Sequence, residues 1–251
     1  DIKKAESLLR KALPQDLILP LYGQLSPTEQ NRAIQPHAGG KRKIVLSTDI
    51  AETSLTIEGV KVVVDSGYAK SNRFDPRSGL SKLVLHRISA DSADQRSGRA
   101  GRLTAGTAYR LWSIATQNQL QEFRTPELME ADLTGLVLDM KVWGKDEIRD
   151  MTWLTPPPAG NLNLAETTLE SLEALDHGQL TSHGKEIHQL PCHPRIAHLL
   201  LYAEKQNLLD LGTDIAAVLE ERDPLGPEAG VDLNLRIEAL RRFRSRGHSI
   251  P

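Results

Sequence analysis

The first part of the chain alternates short apolar runs with helix signals, and this alternation constrains the fold more than any other feature. Apolar runs at residues 17–22, 44–46 and 60–64 predict strands, and residues 107–112 predict a last one. Residues 26–29 supply a cap serine, a proline at the first helical position and the glutamate of a capping box, so a helix should follow. Strands and helices alternating at this spacing favour a parallel sheet with helices on both faces, an α/β fold.

Other local signals complete the predicted element order. Residues 72–76 and 80–86 are separated by Gly79 and predict a hairpin, for which a strand-guiding wedge and a plain exposed hairpin are both open interpretations. After three prolines at 156–158, apolar positions at helical spacing lead to a turn at His177 and Gly178, and further helical stripes follow. The arginines of residues 236–246 are expected at a frayed, solvated helix end, with RNA contact as the alternative.

Composition limits the class of protein. With 39% hydrophobic and 25% charged residues, the 251-residue chain is ordinary globular material. It shows neither a signal-peptide pattern nor an apolar stretch that could cross a bilayer, so we expect a soluble, cytoplasmic protein without membrane contact. The single cysteine, Cys192, excludes an internal disulfide and shares no repeated metal spacing with His193 or His198, so no metal site is expected. Because Asp1 falls inside an amphipathic helical pattern, we expect the chain to be part of a larger protein.

Charge is distributed unevenly along the chain. Residues 1–112 hold 18 Lys and Arg against 11 Asp and Glu, whereas residues 113–251 hold 13 against 22. The first part is therefore the candidate for contact with a polyanion.

One short run is the strongest candidate for chemistry. In a helical conformation Gln95, Arg99 and Arg102 follow i, i+4, i+7 spacing and share one face, which suits a polyphosphate. Gly98 and Gly101 would each cost about 1 kcal/mol in a helix interior, so close approach of another backbone or a ligand is the better reason for them. A solvated basic helix end is the alternative.

A second candidate lies directly after the predicted strand at 44–46. Residues 47–57 are rich in hydroxyl side chains at a point where a strand turns into a helix, and the backbone amides there can bind phosphate oxygens. Serine and threonine are also ordinary turn and cap residues, so this segment alone is a weak signal.

Together these stretches resemble a known family. Residues 21–25 resemble motif IVa, residues 47–57 motif V and residues 95–102 motif VI of the DEAH/RHA group of superfamily 2 helicases, in the family's order. Residues 73–80 resemble the bacterial HrpB type, and the resemblance continues to the end of the chain. It implies a motor of two RecA-like domains, of which the chain holds the second at 1–114, followed by a winged-helix domain at 115–188 and the start of a helical ratchet-like domain, a partial bundle, at 189–251. The acidic balance of the second part favours a bracing role for the winged helix.

The resemblance also implies nucleotide chemistry. The cofactor is ATP with Mg²⁺, and because neither a Gly-x-x-x-x-Gly-Lys-Ser/Thr loop nor an Asp-Glu-x-His box occurs in the chain, the magnesium ligands are expected in an upstream RecA-like domain. Arg99 and Arg102 are candidate arginine fingers, since such arginines stabilise charge on the transferring phosphoryl group. Further roles implied are Gln95 orienting the attacking water or γ-phosphate, Thr56 and Glu58 facing the nucleotide, and Ile34 at the position that covers the adenine.

The implied partner is single-stranded RNA. The resemblance places Thr48, Asp49 and the backbone at Gly23 against the sugar-phosphate chain, with Thr53 near the same track. Contacts of this kind carry little sequence information, so binding is expected to be sequence-independent and salt-dependent. RNA is favoured by family analogy alone. Two other functions are open: a non-catalytic nucleic-acid-binding module without an ATP cycle, and a DNA translocase.

Overall fold

A computed structural model describes residues 2–14, 16–37, 39, 41–53, 55–76, 78–102, 104–221 and 223–245. The chain is a mixed α/β protein that divides into two compact units. The first comprises Asp1–Asp75 and Ser81–Glu130, and the second comprises Pro76–Leu80 and Ala131–Pro251. The domain limits expected from the sequence remain predictions. Among the described residues no helix combines the length and apolar character that a membrane crossing requires.

The elements of the first unit follow the predicted order. In chain order they are α1 (Ile2–Ala12), β1 (Leu17–Leu21), α2 (Pro27–Ile34), β2 (Lys43–Ser47), α3 (Ile50–Thr53), β3 (Val62–Asp65), β4 (Tyr68–Asp75), β5 (Leu80–Arg87, whose first residue groups with the second unit), α4 (Ala90–Ser97), β6 (Thr107–Arg110), α5 (Ile114–Gln117) and a 3-10 helix at Glu127–Met129. The predicted hairpin at 72–86 is confirmed, because β4 and β5 pair with each other.

Parallel pairing is confirmed, but the strands do not form the single sheet that the sequence predicts. β1 pairs in parallel with β2, with Leu21 opposite Ser47, and β3 pairs in parallel with β6. Among the described strands these remain two separate two-stranded sheets, because no strand hydrogen bonds to both pairs. Val62 and Val64 of β3 are exposed, so the apolar run there does not form a buried strand. The predicted α/β class, with parallel strands and helices, is confirmed, and helices on both faces of one sheet remain a prediction.

Helix α2 forms as the capping box predicts. The Ser26 hydroxyl accepts from the Glu29 amide at 3.3 Å, and the Glu29 carboxylate accepts from the Ser26 amide at 3.0 Å. The helix ends at Ile34, and its fully buried Ala33 packs with Leu19 and Leu21 in the core against β1. This packing fixes the loop between β1 and α2, where Gly23 lies. Helix α1 is also present as predicted, although it has no buried residue.

The second unit consists of helices and one short hairpin. Its elements are α6 (Thr134–Val142), a 3-10 helix at Ile148–Asp150, α7 (Ala159–Ser171), β7 (Leu175–Asp176), β8 (Gln179–Leu180), α8 (Ser182–His188), α9 (Pro194–Lys205), α10 (Leu209–Glu220), a 3-10 helix at Pro227–Ala229 and α11 (Leu233–Ser245). The predicted turn is confirmed, since His177 and Gly178 join β7 to β8 with φ of 47° and 75°.

Three of the arginines near the end of the chain bind carboxylates from other parts of the second unit instead of lying at a frayed helix end. Arg236 is buried and donates to Asp223 at 2.6 Å, while Arg241 and Arg244 both contact the buried carboxylate of Asp214. The sequence expectation was wrong for these three because their carboxylate partners lie 13 to 30 residues away. The rest of the stretch, after Ser245, lies outside the described residues.

Candidate functional site

A cleft of about 340 Å³ in the first unit brings the three candidate catalytic residues together. It is lined by Glu52, Gln95, Gly98, Arg99 and Arg102. The grouping of Gln95 with the two arginines, predicted from their spacing, is therefore present in the structure.

The helix that was predicted to carry all three residues ends earlier. Gly98 closes the last α-type hydrogen bond, from its amide to the Asp94 carbonyl at 2.8 Å. The next amide, of Arg99, donates instead to the Arg96 carbonyl three residues back, at 3.1 Å. A continuous helix through Arg102 was thus a wrong prediction, and the reason is the low helix propensity of the two glycines, which favours tighter turns at a helix end.

Among the described residues, no backbone from another part of the chain lies close to either glycine. The nearest atom to a Cβ built on Gly98 is the Asp94 carbonyl oxygen of the preceding turn, at 3.3 Å, and nothing described lies within 4 Å at Gly101. The expectation of backbone crowding was wrong, and a ligand remains the other predicted reason for a glycine in this run.

Arg99 is held on the segment that follows β2. Its guanidinium donates to the Leu55 carbonyl at 2.6 Å and to the Glu52 carbonyl. Burial, and after it the neighbouring charge of Arg102, lowers the pKa of Arg99 from its ordinary value. The side chain nevertheless stays a cation, because a guanidinium is not deprotonated in proteins near neutral pH.

Arg102 reaches the same segment from an exposed position. Its Nη1 donates to the Thr56 hydroxyl at 2.8 Å, which joins one candidate finger to one candidate nucleotide contact. Arg102 is exposed whereas Arg99 is half-buried, so Arg102 is the more accessible of the two arginines.

Beneath the cleft lies a buried ionic cluster that the sequence did not reveal. The Glu52 carboxylate is 2% exposed and accepts from Arg96 at 2.9 Å and from Arg124. Arg96 also donates to Asp65 at 3.0 Å. Three guanidinium groups, counting Arg99, therefore surround two carboxylates, and this excess of positive charge suits an anion in the cleft.

The two carboxylates of this cluster could be noticed in the sequence, but their cationic partners could not. Asp65 ends the apolar run 60–64, and Glu52 stands in the short helix α3; a carboxylate beside apolar residues needs a cation if it is buried. The sequence does not say which of the many arginines supplies it, and one of those that do, Arg124, lies outside the basic first part.

The candidate nucleic-acid residues meet at the carboxyl edge of the β1–β2 pair. The Thr48 amide donates to the Leu21 carbonyl at 3.2 Å, so the loop with Thr48 and Asp49 lies beside the chain that leads into Gly23. All three residues are exposed, and nothing described lies within 4 Å of a Cβ built at Gly23. Thr53 is the last residue of α3, and its side chain lies outside what the structure describes.

None of the three predicted nucleotide contacts is among the described residues that line the cleft, and only Thr56 is bonded to one of them, Arg102. Glu58 is exposed in the turn before Gly59, which has φ of 73°. Ile34 is half-buried and packs against the α2 core, while its carbonyl accepts from Lys43 at 3.3 Å. The structure thus shows a core contact for Ile34, and its role at the adenine remains a prediction.

The histidines near Cys192 make packing contacts. His193 accepts from the Arg195 amide at 3.2 Å at the start of α9, and His198 lies 2.9 Å from His183, nitrogen to nitrogen. Within the described ranges no group of three or more His, Cys, Asp or Glu side chains is arranged to hold a metal ion.

Comparison with known proteins identifies the first part of the chain. Residues 1–104 match the family model described as the helicase conserved C-terminal domain. The chain is 39% identical over 227 residues to the ATP-dependent RNA helicase HrpB of Escherichia coli K12, a match that covers 90% of the chain and 28% of that protein.

Two further curated relatives carry similar names. The chain is 36% identical over 226 residues to the ATP-dependent RNA helicase HrpA of the same organism, covering 88% of the chain and 17% of HrpA. It is 38% identical over 196 residues to the pre-mRNA-splicing factor ATP-dependent RNA helicase prp22 of Schizosaccharomyces pombe, covering 77% of the chain and 17% of prp22. The chain thus spans less than a third of the length of each of these relatives.

Solved structures agree with the sequence matches. A crystal structure of the E. coli DExH-box NTPase HrpB superposes with a TM-score of 0.83 at 38% identity, covering 94% of this chain and 29% of that one. A second, of the E. coli DEAH/RHA helicase HrpB, gives 0.84 at 36% identity, with coverage of 96% and 32%.

Proposed function

Because the chain belongs to the DEAH/RHA helicase family and is of the HrpB type, we propose that it forms the second half of an ATP-driven RNA motor. It supplies one wall of an ATP site shared with an upstream RecA-like domain, and it couples hydrolysis there to movement along single-stranded RNA. The names of its relatives support both ATP and RNA. The proposed place of action is the cytoplasm.

One observation carries the coupling. Residues 48–56 present Thr48 and Asp49 at the strand edge, and the same nine residues accept hydrogen bonds from both candidate fingers. Arg99 binds the carbonyls of Glu52 and Leu55, and Arg102 binds Thr56. A movement of the fingers towards a nucleotide therefore acts on the segment that holds the nucleic-acid residues.

The roles follow from the chemistry of phosphoryl transfer. Arg99 and Arg102 stabilise negative charge on the transferring group once the two RecA-like domains close, and Gln95 orients the attacking water or the γ-phosphate. Thr56 and Glu58 face the nucleotide, whereas Ile34 gives no aromatic cover for the adenine. The Mg²⁺ ion, held by the upstream domain, would neutralise charge on the β- and γ-phosphates.

On the RNA side, Gly23, Thr48, Asp49 and Thr53 contact the sugar-phosphate chain. Contacts of that kind do not depend on base identity, so the motor is sequence-independent. When hydrolysis removes the γ-phosphate, the fingers lose their partner and the track at the strand edge shifts along the RNA.

The test is ATP turnover by the intact protein with single-stranded RNA present. Arg99→Ala and Arg102→Ala should each lower turnover by about 10³ to 10⁵-fold, the size of an arginine-finger effect. Arg42→Ala is the matched control, because Arg42 is an exposed arginine of the same unit whose carboxylate partner, Asp16, is outside the cleft. A finger variant that folds and stays within tenfold of wild type would remove the assignment.

The polynucleotide is tested in the same assay. RNA and DNA strands of equal length are compared as stimulators of turnover, and RNA should stimulate more strongly. Stronger stimulation by DNA would make the protein a DNA translocase, and binding of either strand without any turnover would make it a non-catalytic module.

A further inference from the structure

Arg124 lies outside all the motif-like stretches of the sequence, yet it reaches the centre of the buried ionic cluster. Its Nη2 contacts the Glu52 carboxylate and donates to the Ser92 hydroxyl at 2.9 Å. Its side chain is still 57% exposed, so only the guanidinium end is committed.

The approach of Arg124 is fixed by the backbone before it. The amides of Ala90 and Asp91, in the first turn of α4, donate to the carbonyls of Gln121 and Glu122 at 2.8 and 3.1 Å. The cap serine of this helix makes no side-chain capping bond, so the segment 121–122 satisfies donors that a helix start would otherwise leave unpaired. These two hydrogen bonds fix the backbone just before Arg124 against α4, and the Arg124 guanidinium lies at Glu52 as a result.

Glu52 connects Arg124 to the cleft, because it contacts Arg124 and also lines the cleft. One of its carboxylate oxygens accepts from Arg96, the other contacts Arg124, and its backbone carbonyl accepts from Arg99. With the carboxylate only 2% exposed, an oxygen that lost its cation would be desolvated and unpaired. Arg99 is a further cation beside this residue, since it donates to the Glu52 carbonyl and its charge already interacts with that of Glu52.

We infer that Arg124 is a positioning residue for the arginine cleft: by occupying the Glu52 carboxylate it keeps that group from capturing Arg99, which then remains available to the nucleotide phosphates. This inference rests on the proposed function. Arg124 itself touches no reacting atom and acts through Glu52.

The first experiment measures kcat and KM for ATP in the intact protein with single-stranded RNA. Arg124→Ala should lower kcat by about tenfold to a hundredfold, the size of effect that slight misplacement of a catalytic group produces, with little change in KM. Arg124→Lys should recover part of kcat, because an ammonium still neutralises Glu52. Arg42→Ala is matched in exposure, at 67%, and in having one carboxylate partner, so it should leave both constants unchanged.

A thermal melt of each variant separates positioning from folding. If Arg124→Ala does not fold, Arg124→Lys carries the test, and it must show a reduced kcat at an unchanged melting temperature. A kcat that follows only the melting temperature across the variants would overturn the inference.

A double-variant cycle tests the route through Glu52. If Arg124 acts through that carboxylate, Arg124→Ala should cost much less in a Glu52→Gln background than in wild type. Fully additive effects would overturn the inference. If Arg99→Ala is inactive while Arg124→Ala matches wild type, the positioning role fails and the motor stands; if Arg99→Ala also matches wild type, the proposed function itself fails.

Discussion

Arg96 donates from Nε to the Glu52 carboxylate at 2.9 Å, across a separation of 44 residues in the chain. The two side chains are 15% and 2% exposed, so the pair is one of the buried ionic contacts of the first unit. It joins α4 to α3, and hence the candidate catalytic stretch to the segment that follows β2. Since Arg96 also bonds Asp65 at the end of β3, the pair ties together elements of both parallel strand pairs.

Removing Glu52 should therefore cost much stability. Glu52→Ala leaves Arg96 and Arg124 without their shared carboxylate, and breaking a buried pair from one side costs about 3–5 kcal/mol. Glu52→Gln should cost less, because its amide oxygen still accepts from Arg96. Urea unfolding of the chain measures the difference.

The control is an ion pair of the same chemistry at the surface. Glu6 and Arg10 pair at 2.7 Å on the exposed face of α1. Glu6→Ala should cost at most about 1 kcal/mol, as exposed pairs do. If Glu52→Ala and Glu6→Ala lowered the free energy of unfolding equally, burial of the Glu52 cluster would add nothing to stability.

The features that the sequence predicted best are those whose partners are close in the chain. Ser26 and Glu29 are three residues apart, and His177 is followed by Gly178; in each case the whole geometry is encoded in one short stretch. Glu52 with Arg96 and Asp214 with Arg244 are separated by 44 and 30 residues, and no local pattern selects one arginine among many. The buried clusters therefore had to come from the structure.

The candidate site was predictable in part for the same reason. The spacing of Gln95, Arg99 and Arg102 gave their shared cleft, but it also predicted a helix that the glycines end at Ser97. The predicted ends of the first two strands also indicated the sheet edge where Gly23 and Thr48 lie close together. Which carbonyls Arg99 would bind depended on the packing of α3 against α4, which no single stretch encodes.

Two glycines in the second unit should respond oppositely to the same substitution. A Cβ at Gly184 would lie 2.2 Å from the Ala174 carbonyl oxygen, so Gly184→Ala must push α8 away from the β7 hairpin and should cost about 1–3 kcal/mol. A Cβ at Gly160, in the first turn of α7, would have no described atom within 4 Å, so Gly160→Ala should be neutral or stabilise by up to about 1 kcal/mol. Thermal melting of both variants gives the comparison, and a stable Gly184→Ala would show that α8 packs differently.

Thr48 should contribute to RNA binding without contributing to its salt dependence. Thr48→Ala removes one neutral hydrogen bond to the backbone, so affinity should fall by about 1 kcal/mol for every sequence alike. The slope of log affinity against log salt should stay the same, since no charge is lost. Fluorescence anisotropy of the intact protein with two RNA strands of different sequence measures both quantities.

Thr107→Ala is the control for this change, because Thr107 is also exposed but lies at the amino end of β6. It should leave affinity unaltered. A change in salt slope for Thr48→Ala, or a loss confined to one sequence, would show that the strand edge does not follow the sugar-phosphate chain.

Asp132 should make the stability of the second unit depend on pH in the acid range. Burial alone would raise the pKa of its carboxyl, but hydrogen bonds from His193 and from Thr134 outweigh this and lower the pKa from 3.8 to about 2. A carboxyl with a lower pKa in the folded state than in the unfolded state stabilises the fold at pH 7, here by about 2 kcal/mol for a side chain that is 14% exposed.

That stability is complete above about pH 4 and is lost as the pH falls from 4 to 2, because in this range the carboxyl takes up a proton in the unfolded chain before it does so in the fold. Asp132→Asn should consequently be less stable than wild type at pH 6, and the gap should narrow at pH 3 when both are unfolded in urea. Asp176→Asn removes a carboxylate that is 80% exposed in the same unit and should show no such convergence. A gap for Asp132→Asn that stays constant from pH 6 to pH 3 would mean that the contacts with His193 and Thr134 stabilise the unit without depending on the charge of the carboxylate.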